Sequence, residues 1–278
     1  MSNLPVEPES LVAEVRERYG RIASGQVSGC GCSCASGAPS TETELSIGIG
    51  YAPGELAAVP DEANLGLGCG APIAGLALAA GETVVDLGSG AGIDAFLAAR
   101  AVGASGRVIG VDMTPEMIER ARSAAARHGF ANVEFRQGRL EQLPVDDASV
   151  DAVTSNCVFN LVPDKAAVFR EVARVLKPGG RLVVSDILLD RPLPPRLAGD
   201  LLAWVGCVAG AERREAYFAK LGAAGLGDVE VLRDIDYGET FLAAAPDQAA
   251  ELLARAGVGI DEVRGTIRSV TYRARKPA

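Results

Sequence analysis

The sequence predicts an α/β protein in which helices cover a mostly parallel β-sheet, and three observations support this fold class. Between residues 80 and 190, short runs rich in Val, Ile and Leu alternate with helical segments. The first run begins at residue 83 and passes through a glycine-rich turn directly into a helical segment. No internal repeat interrupts the alternation. Strands that alternate with helices form βαβ units, so right-handed crossovers and a parallel sheet are expected.

The individual elements follow from apolar runs and helix signals. Strands are predicted at 83–90, 107–113, 132–138, 149–156 and 179–189, with weaker strands at 228–235 and 266–274. Helices are predicted at 93–102, 115–128, within 161–176 and around 247–256. The second of these has Thr114 at its N-cap position and Pro115 at its first helical position.

Three segments organise the chain. Residues 1–79 form an N-terminal extension, with an amphipathic helix over 10–23 and a Gly/Ser-rich loop over 24–44 that contains three cysteines. Residues 80–190 form the sheet domain. Residues 191–278 form a C-terminal α+β region, and we expect this region to contact the substrate.

Composition excludes several classes of protein. Hydrophobic residues make up 48% of the 278 residues and charged residues 23%, so the chain can fold around a core. A net charge of −9 and an aromatic content of 5% argue against nucleic-acid binding. The N-terminus lacks a signal-peptide pattern, and the most apolar stretch, residues 65–80, is too short to cross a membrane. We therefore expect a soluble, cytoplasmic protein that binds neither nucleic acid nor membrane.

The turn after the first strand is the strongest local signal for a ligand site. Its glycines alternate in a Gly-x-Gly-x-Gly pattern, which differs from the dinucleotide-binding fingerprint. Asp86 lies two residues before the first of them, Gly88. A carboxylate there would be poorly placed beside a pyrophosphate, but it suits a cationic ligand. S-adenosylmethionine, which carries a sulfonium and an ammonium, fits this requirement.

Other strand ends supply the rest of the predicted cofactor site. Asp112 ends the second strand, where an acidic residue can accept hydrogen bonds from ribose hydroxyls. The turn after the third strand, residues 139–141, is placed to border the adenine. The predicted cofactor-binding residues are Asp86, Gly88, Ser89, Gly90, Gly92, Asp112, Met113, Leu140, Glu141 and Asn156.

Cysteines are the remaining candidates for chemistry, because the chain has six of them and a single histidine. That histidine, His128, ends a helix and is interpreted as a surface residue. Cys157 follows the fourth strand, where a thiol would face the methyl donor. Cys69 is flanked by glycines, which favours a functional role. Cys207 lies on an apolar helical stretch and, taken alone, is typical of a core residue.

The N-terminal loop contains the other three cysteines. Cys30, Cys32 and Cys34 alternate with small residues, a spacing that does not match a zinc site. No general base stands out in the sequence. A soft acceptor that is held by thiolates and carries its own lone pair would not need one.

Taken together, these motifs resemble the arsenite S-adenosylmethionine methyltransferases over nearly the whole chain. The glycine loop is shared by many methyltransferases, whereas the three separate cysteine contexts are specific. The matching segments are residues 57–60, 64–70, 85–90, 110–117, 155–161, 177–182, 206–211 and 269–277. The resemblance implies a Rossmann-like class I methyltransferase fold and a role in arsenic detoxification.

The resemblance also implies roles for the cysteines. Cys157 and Cys207 would hold trivalent arsenic as thiolates, with Cys69 as a third ligand or a redox partner. One of the three N-terminal cysteines would form a disulfide with Cys69 during turnover. The lone pair of arsenic would attack the methyl group, and a thiol reductant, thioredoxin or glutathione, would restore the cysteines.

Two other functions fit parts of the sequence. A methyltransferase of another small molecule, such as a quinone, would use the same glycine loop but would leave the cysteine contexts unexplained. A non-catalytic arsenic-sequestering protein would need the cysteines but not the intact Asp86 and Asp112. The charged run at 212–215 is explained by none of these interpretations.

Overall fold

A computed structural model of the protein describes residues 7–27, 41–198, 208, 210–244 and 246–278. Within these residues, one seven-stranded sheet consists of β1 Thr83–Leu87, β2 Arg107–Asp112, β3 Val133–Gln137, β4 Val150–Asn156, β5 Leu176–Leu189, β6 Gly227–Asp236 and β7 Ile267–Arg275. Its strand order is β3-β2-β1-β4-β5-β7-β6. Strands β1 to β5 pair in parallel, whereas β7 pairs antiparallel with both β5 and β6.

Helices cover the sheet and extend it at both ends of the chain. Over the same described ranges they are α1 Pro8–Ala23, α2 Thr41–Ile49, α3 Pro53–Leu56, α4 Ile73–Leu76, α5 Ile93–Val102, α6 Pro115–His128, α7 Lys165–Val175, α8 Pro195–Ala198, α9 Arg214–Ala223, α10 Tyr237–Ala244, α11 Pro246–Ala256 and α12 Ile260–Val263. Short 3-10 turns cover Asp61–Ala63 and Phe159–Leu161. None of the described helices is both long enough and apolar enough to cross a membrane.

The central strands are buried on both faces because helices pack on each side. Val84, Val85 and Leu87 of β1 are 0% exposed, as the apolar runs of a parallel sheet require. Helix α6 begins with Pro115 and ends at His128. The next residue, Gly129, caps the helix with a left-handed φ of 72°. The predicted α/β class and its parallel central strands are therefore confirmed.

The N-terminal extension differs in detail from the prediction. Helix α1 begins at Pro8 rather than residue 10, since a proline is favoured in the first turn of a helix. Helix α2 begins at Thr41, inside the stretch predicted to be a loop through residue 44. Its first turn contains Glu42 and Glu44, which favour a helix N-terminus. The loop prediction was therefore wrong for these four residues.

Ion pairs account for the charged run at 212–215. Arg214 lies 3.1 Å from Asp190 at the end of β5 and 2.7 Å from Asp234 of β6. Glu212 is paired with Lys220 of α9. Arg214 therefore ties α9 to the sheet, which the sequence did not reveal because Asp190 and Asp234 are distant in the chain.

The order of the strands locates the ligand-binding edge of the sheet. From β1 the chain builds β2 and β3 on one side, and β4 and β5 on the other. The carboxyl ends of β1 and β4 therefore flank a topological switch point, where open α/β sheets bind their ligands. Strands β6 and β7 complete the same sheet, and the proposed division at residues 79 and 190 stays a prediction.

Candidate functional site

A cleft opens above the carboxyl ends of β1 and β4, with about 1110 Å³ of empty space that is partly continuous with solvent. Residues Gly88–Ala91 form one wall and Asn156–Val158 form another. Helix α1 contributes Val12, Val15 and Tyr19, so the N-terminal extension covers part of the opening. The mixed apolar and polar lining is suitable for a nucleoside-like ligand.

Asp86 is the most informative residue of this cleft. It is the second-last residue of β1, is 2% exposed, and its Oδ2 accepts no hydrogen bond from any described residue. The same is true of the Ser89 hydroxyl. Buried polar atoms almost always have a partner, so these two are available for a ligand. A cationic ligand with hydrogen-bond donors fits them, as S-adenosylmethionine would.

Gly88 has a steric reason to be glycine. Its φ is 65°, and a Cβ atom there would lie 2.3 Å from the Val158 side chain. The amides of Gly88 and Ser89 both donate to the Val111 carbonyl, at 2.7 and 3.1 Å. The turn is thereby fixed against β2, and the backbone can approach a ligand closely.

Asp112 also fixes the glycine turn. Its Oδ2 accepts from the Gly90 amide at 2.9 Å and its Oδ1 from the Thr114 amide at 2.8 Å. The residue lines the cleft, and each carboxylate oxygen can accept a second hydrogen bond. Its predicted contact with ribose hydroxyls stays a prediction.

Most predicted cofactor residues converge on the cleft. Its lining includes Asp86, Gly88, Ser89, Gly90, Asp112, Met113, Leu140, Glu141 and Asn156. Gly92 is not part of that lining and is the N-cap residue of α5 instead. A Cβ atom on Gly92 would lie 2.8 Å from Phe135 and 2.9 Å from Phe96, so this glycine allows close packing of the helix.

Sequence reasoning missed a buried hydrogen-bond network at the same edge. The Tyr51 hydroxyl donates to Asp94 Oδ1 at 2.8 Å. The Asn156 amide donates to the Tyr51 oxygen at 2.9 Å and to Asp94 Oδ2 at 3.1 Å. All three residues line the cleft. The available signal was Asp94 itself, an acidic residue in an otherwise apolar helical segment.

Burial weakens the acidity of these carboxyl groups. Desolvation raises the pKa of Asp94 to about 6, although Tyr51 and Asn156 donate to its charged form. Desolvation also raises the pKa of Asp86 well above its usual value, and the nearby charges of Asp94 and Asp112 raise it further. A bound cation would relieve this repulsion and favour the ionised forms.

We therefore expect a pH-dependent preference for S-adenosylmethionine over S-adenosylhomocysteine, which lacks the sulfonium charge. Below about pH 6, protonation of Asp94 removes negative charge from the cleft, and the raised pKa of Asp86 acts in the same direction, so attraction of the sulfonium weakens. Calorimetric titrations from pH 8 to pH 5 should show the ratio of the two affinities falling as pH falls. A ratio that is constant over this range would contradict the role assigned to these carboxylates.

Two buried cysteines lie close together, one lining the cleft and the other next to its lining residue Gly68. The sulfur atoms of Cys69 and Cys157 and a carboxylate oxygen of Asp186 all lie within 4.8 Å of one another. Cys69 is 0% exposed and Cys157 is 7% exposed. Cys157, which also lines the cleft, has a left-handed φ of 60°. Such backbone strain in a non-glycine residue is found most often at functional sites.

Backbone contacts hold both cysteines. The Cys157 amide donates to the Ser185 carbonyl at 2.8 Å. The Cys69 amide donates to Asn156 Oδ1 at 3.0 Å, and the Cys69 carbonyl accepts from the Ser269 hydroxyl. Cys69 is therefore fixed between β4, β5 and β7.

Close packing explains Gly70. A Cβ atom there would lie 2.5 Å from Ser185 Oγ and 2.6 Å from Ser185 Cβ. We expect Gly70→Ala to lower the free energy of unfolding by about 1–3 kcal/mol, since overpacking forces the neighbours apart. Gly222→Ala in α9 is the matched control, because nothing lies within 4 Å of its Cβ position. Urea unfolding of both variants tests this, and equal stability would contradict it.

The remaining cysteines have no structural description. Cys30, Cys32, Cys34 and Cys207 lie outside the described residues, so their predicted roles stay predictions. His128 is described: its side chain is 46% exposed and lies 3.1 Å from Glu62. That placement agrees with its interpretation as a surface residue.

The fold and this cleft define a methyltransferase. Residues 78–257 match the family model described as a methyltransferase domain. The arsenite methyltransferase of Halobacterium salinarum is 45% identical over 279 residues, which cover 98% of this chain and 68% of the relative. The chain belongs to the arsenite methyltransferase family, as the sequence motifs predicted.

Two further proteins support this placement. The arsenite methyltransferase of Aquipseudomonas alcaligenes is 47% identical over 127 residues, which cover 43% of this chain and 37% of that relative. The crystal structure of an arsenic(III) S-adenosylmethionine methyltransferase from Chlamydomonas reinhardtii is 30% identical, with a TM-score of 0.61. That comparison covers 87% of this chain and 75% of the algal chain.

Proposed function

We propose that this protein transfers the methyl group of S-adenosylmethionine to trivalent arsenic held by cysteine thiolates, and so acts in arsenic detoxification. The observation that carries the proposal is the placement of Cys69 and Cys157. Their sulfur atoms lie close together, and Cys157 lines the same cleft as Asp86, a buried carboxylate with an unpartnered oxygen. Family membership supports the same reaction.

The cleft residues would bind and orient the methyl donor. S-adenosylmethionine supplies an electrophilic methyl group on a sulfonium sulfur. Asp86 attracts its positive charge, and the glycine turn brings backbone close to it. Asp112 holds that turn in place through the Gly90 amide. The hydrophobic lining and α1 exclude water, which strengthens each of these electrostatic contacts.

The cysteines would bind the acceptor. When thiols replace the hydroxides of arsenite, each thiol proton leaves with a hydroxide as water, and sulfur bonds to arsenic. Thiolate sulfur is a soft ligand and suits this soft element. Cys157, Cys207 and Cys69 are the proposed ligands, with Cys69 alternatively serving as a redox partner. Holding donor and acceptor in one orientation supplies much of the rate enhancement.

Methylation oxidises arsenic from the trivalent to the pentavalent state, so repeated turnover needs two electrons. We propose that Cys69 and one of Cys30, Cys32 and Cys34 supply them by forming a disulfide. Thioredoxin or glutathione would then reduce that disulfide by thiol exchange. This reductant is the second proposed partner, beside the trivalent arsenicals.

Arsenic speciation tests the proposed function. The purified protein is incubated with arsenite, S-adenosylmethionine and either thioredoxin with its reductase or glutathione, and arsenic species are separated by chromatography over time. Methylated arsenicals that require both protein and S-adenosylmethionine would support the proposal. Bound but unmethylated arsenic would indicate a sequestering protein. Cofactor binding without arsenic binding would indicate a methyltransferase of another molecule.

A further inference from the structure

A buried carboxylate beside the two cysteine sulfurs has no role in the reaction outlined above. Asp186 lies near the end of β5 and is 0% exposed. One of its oxygens lies within 4.8 Å of the sulfur atoms of both Cys69 and Cys157. A carboxylate in such a place is costly to bury, and an apolar side chain would pack more cheaply.

Hydrogen bonds fix this carboxylate and favour its charged form. Its Oδ1 accepts from the Asn160 side-chain amide at 2.8 Å and from the Ile187 backbone amide at 2.9 Å. Its Oδ2 accepts from the Tyr217 hydroxyl at 3.2 Å. Tyr272 donates in turn to the Tyr217 oxygen at 3.2 Å. The group is thus held in one orientation before any ligand binds.

Two other charged groups act in this region. The ammonium of Lys165 attracts the Asp186 carboxylate. Lys165 is itself 3.7 Å from Glu212, whose negative charge also acts on Asp186. Glu212 in turn contacts Lys220. Desolvation raises the pKa of Asp186 to about 7, and the attraction of Lys165 opposes that rise, so the carboxylate is ionised above this pH.

Methyl transfer creates a positive charge on the arsenic atom that would be bound beside Asp186. The arsenic lone pair forms the As–C bond, and the C–S bonding pair returns to sulfur, which becomes a neutral thioether. No proton moves in this step, so one unit of positive charge leaves the sulfonium and appears on arsenic. Fixed groups of opposite charge stabilise such a transition state strongly when water is excluded.

We propose that Asp186 stabilises the positive charge that develops on arsenic during methyl transfer. The inference rests on the proposed function, since it requires arsenic bound at Cys157. It gives Asp186 a role in the transition state rather than in ground-state binding, because arsenite bound to thiolates carries no positive charge. Asn160 and Tyr217 then act as positioning residues for the carboxylate.

Asp186→Asn tests this role with little change of shape. Its control is Asp151→Asn, which removes one carboxylate at the opposite end of the sheet, where Asp151 pairs with Lys177. Single-turnover methylation is measured for both, together with arsenic retained after gel filtration and S-adenosylmethionine affinity by calorimetry. Asp186→Glu, which restores the charge, is measured alongside.

For Asp186→Asn we expect a single-turnover rate about 100-fold lower, the scale seen when one charge-stabilising group is removed. Retained arsenic and cofactor affinity should match the wild type, Asp151→Asn should methylate normally, and Asp186→Glu should recover part of the rate. An unchanged rate, or retained arsenic that falls in parallel with the rate, would overturn the inference. If the wild type itself forms no methylated arsenical, the proposed function fails instead.

Discussion

Cys157→Ser is expected to lower the rate of arsenite methylation by more than about 100-fold and to leave S-adenosylmethionine binding unchanged. Partners that merely orient a metal ligand are worth about 10- to 100-fold, so loss of the ligand atom should cost more. Serine has nearly the same shape, and its hydroxyl is a poor ligand for a soft element. The substitution therefore tests the contribution of the sulfur atom to the rate.

Strand β4, which ends just before Cys157, offers a control for this substitution. Ser155 is 0% exposed, and its hydroxyl donates to the Leu87 carbonyl at 3.1 Å. Ser155→Ala should lose some stability and keep methylation. The rate is measured by arsenic speciation, and the affinity for S-adenosylmethionine by calorimetry. Near-normal turnover of Cys157→Ser would remove Cys157 from the arsenic site. The resemblance predicts an equal loss for Cys207→Ser.

Short sequence patterns were sufficient to predict the central strands and the glycine turn of this protein. Apolar runs marked the central strands, and Asp86 together with the alternating glycines marked the turn that lines the cleft. Each of these signals lies within one strand and its following turn. Such short-range patterns are sufficient to locate the site, because the carboxyl ends of parallel strands lie at one edge of the sheet.

Contacts between distant segments could not be predicted in this way. Asp186 lies beside Cys69, although 117 positions separate them in the chain (186 minus 69). Tyr51 reaches Asp94 and Asn156 from the N-terminal extension. No sequence periodicity specifies such contacts, because they depend on how helices and strands pack against one another. The burial of Cys69 could not be predicted for the same reason, because the close packing of its neighbour Gly70 involves Ser185 of a distant strand.

Asn156 forms hydrogen bonds both near Cys69 and on the cofactor side of the cleft. Asn156→Ala is therefore expected to impair both cofactor binding and methylation. Its amide donates to the Gly70 carbonyl at 2.7 Å, and its oxygen accepts from the Cys69 amide. The same amide donates to Tyr51 and Asp94 on the cofactor side. Alanine would leave buried partners unsatisfied, at about 1–3 kcal/mol for each group.

Asn132→Ala is the control, because it also removes a side-chain amide that donates to more than one partner. The Asn132 side chain donates to the carbonyls of Ala99 and Gly103, both at 2.9 Å, away from the cleft. Both variants should unfold at lower urea concentrations than the wild type. Asn156→Ala alone should also bind S-adenosylmethionine more weakly and methylate arsenite slowly under conditions where it is fully folded. If the two variants lose activity only in proportion to stability, Asn156 supports the fold and does not couple the cofactor cleft to Cys69.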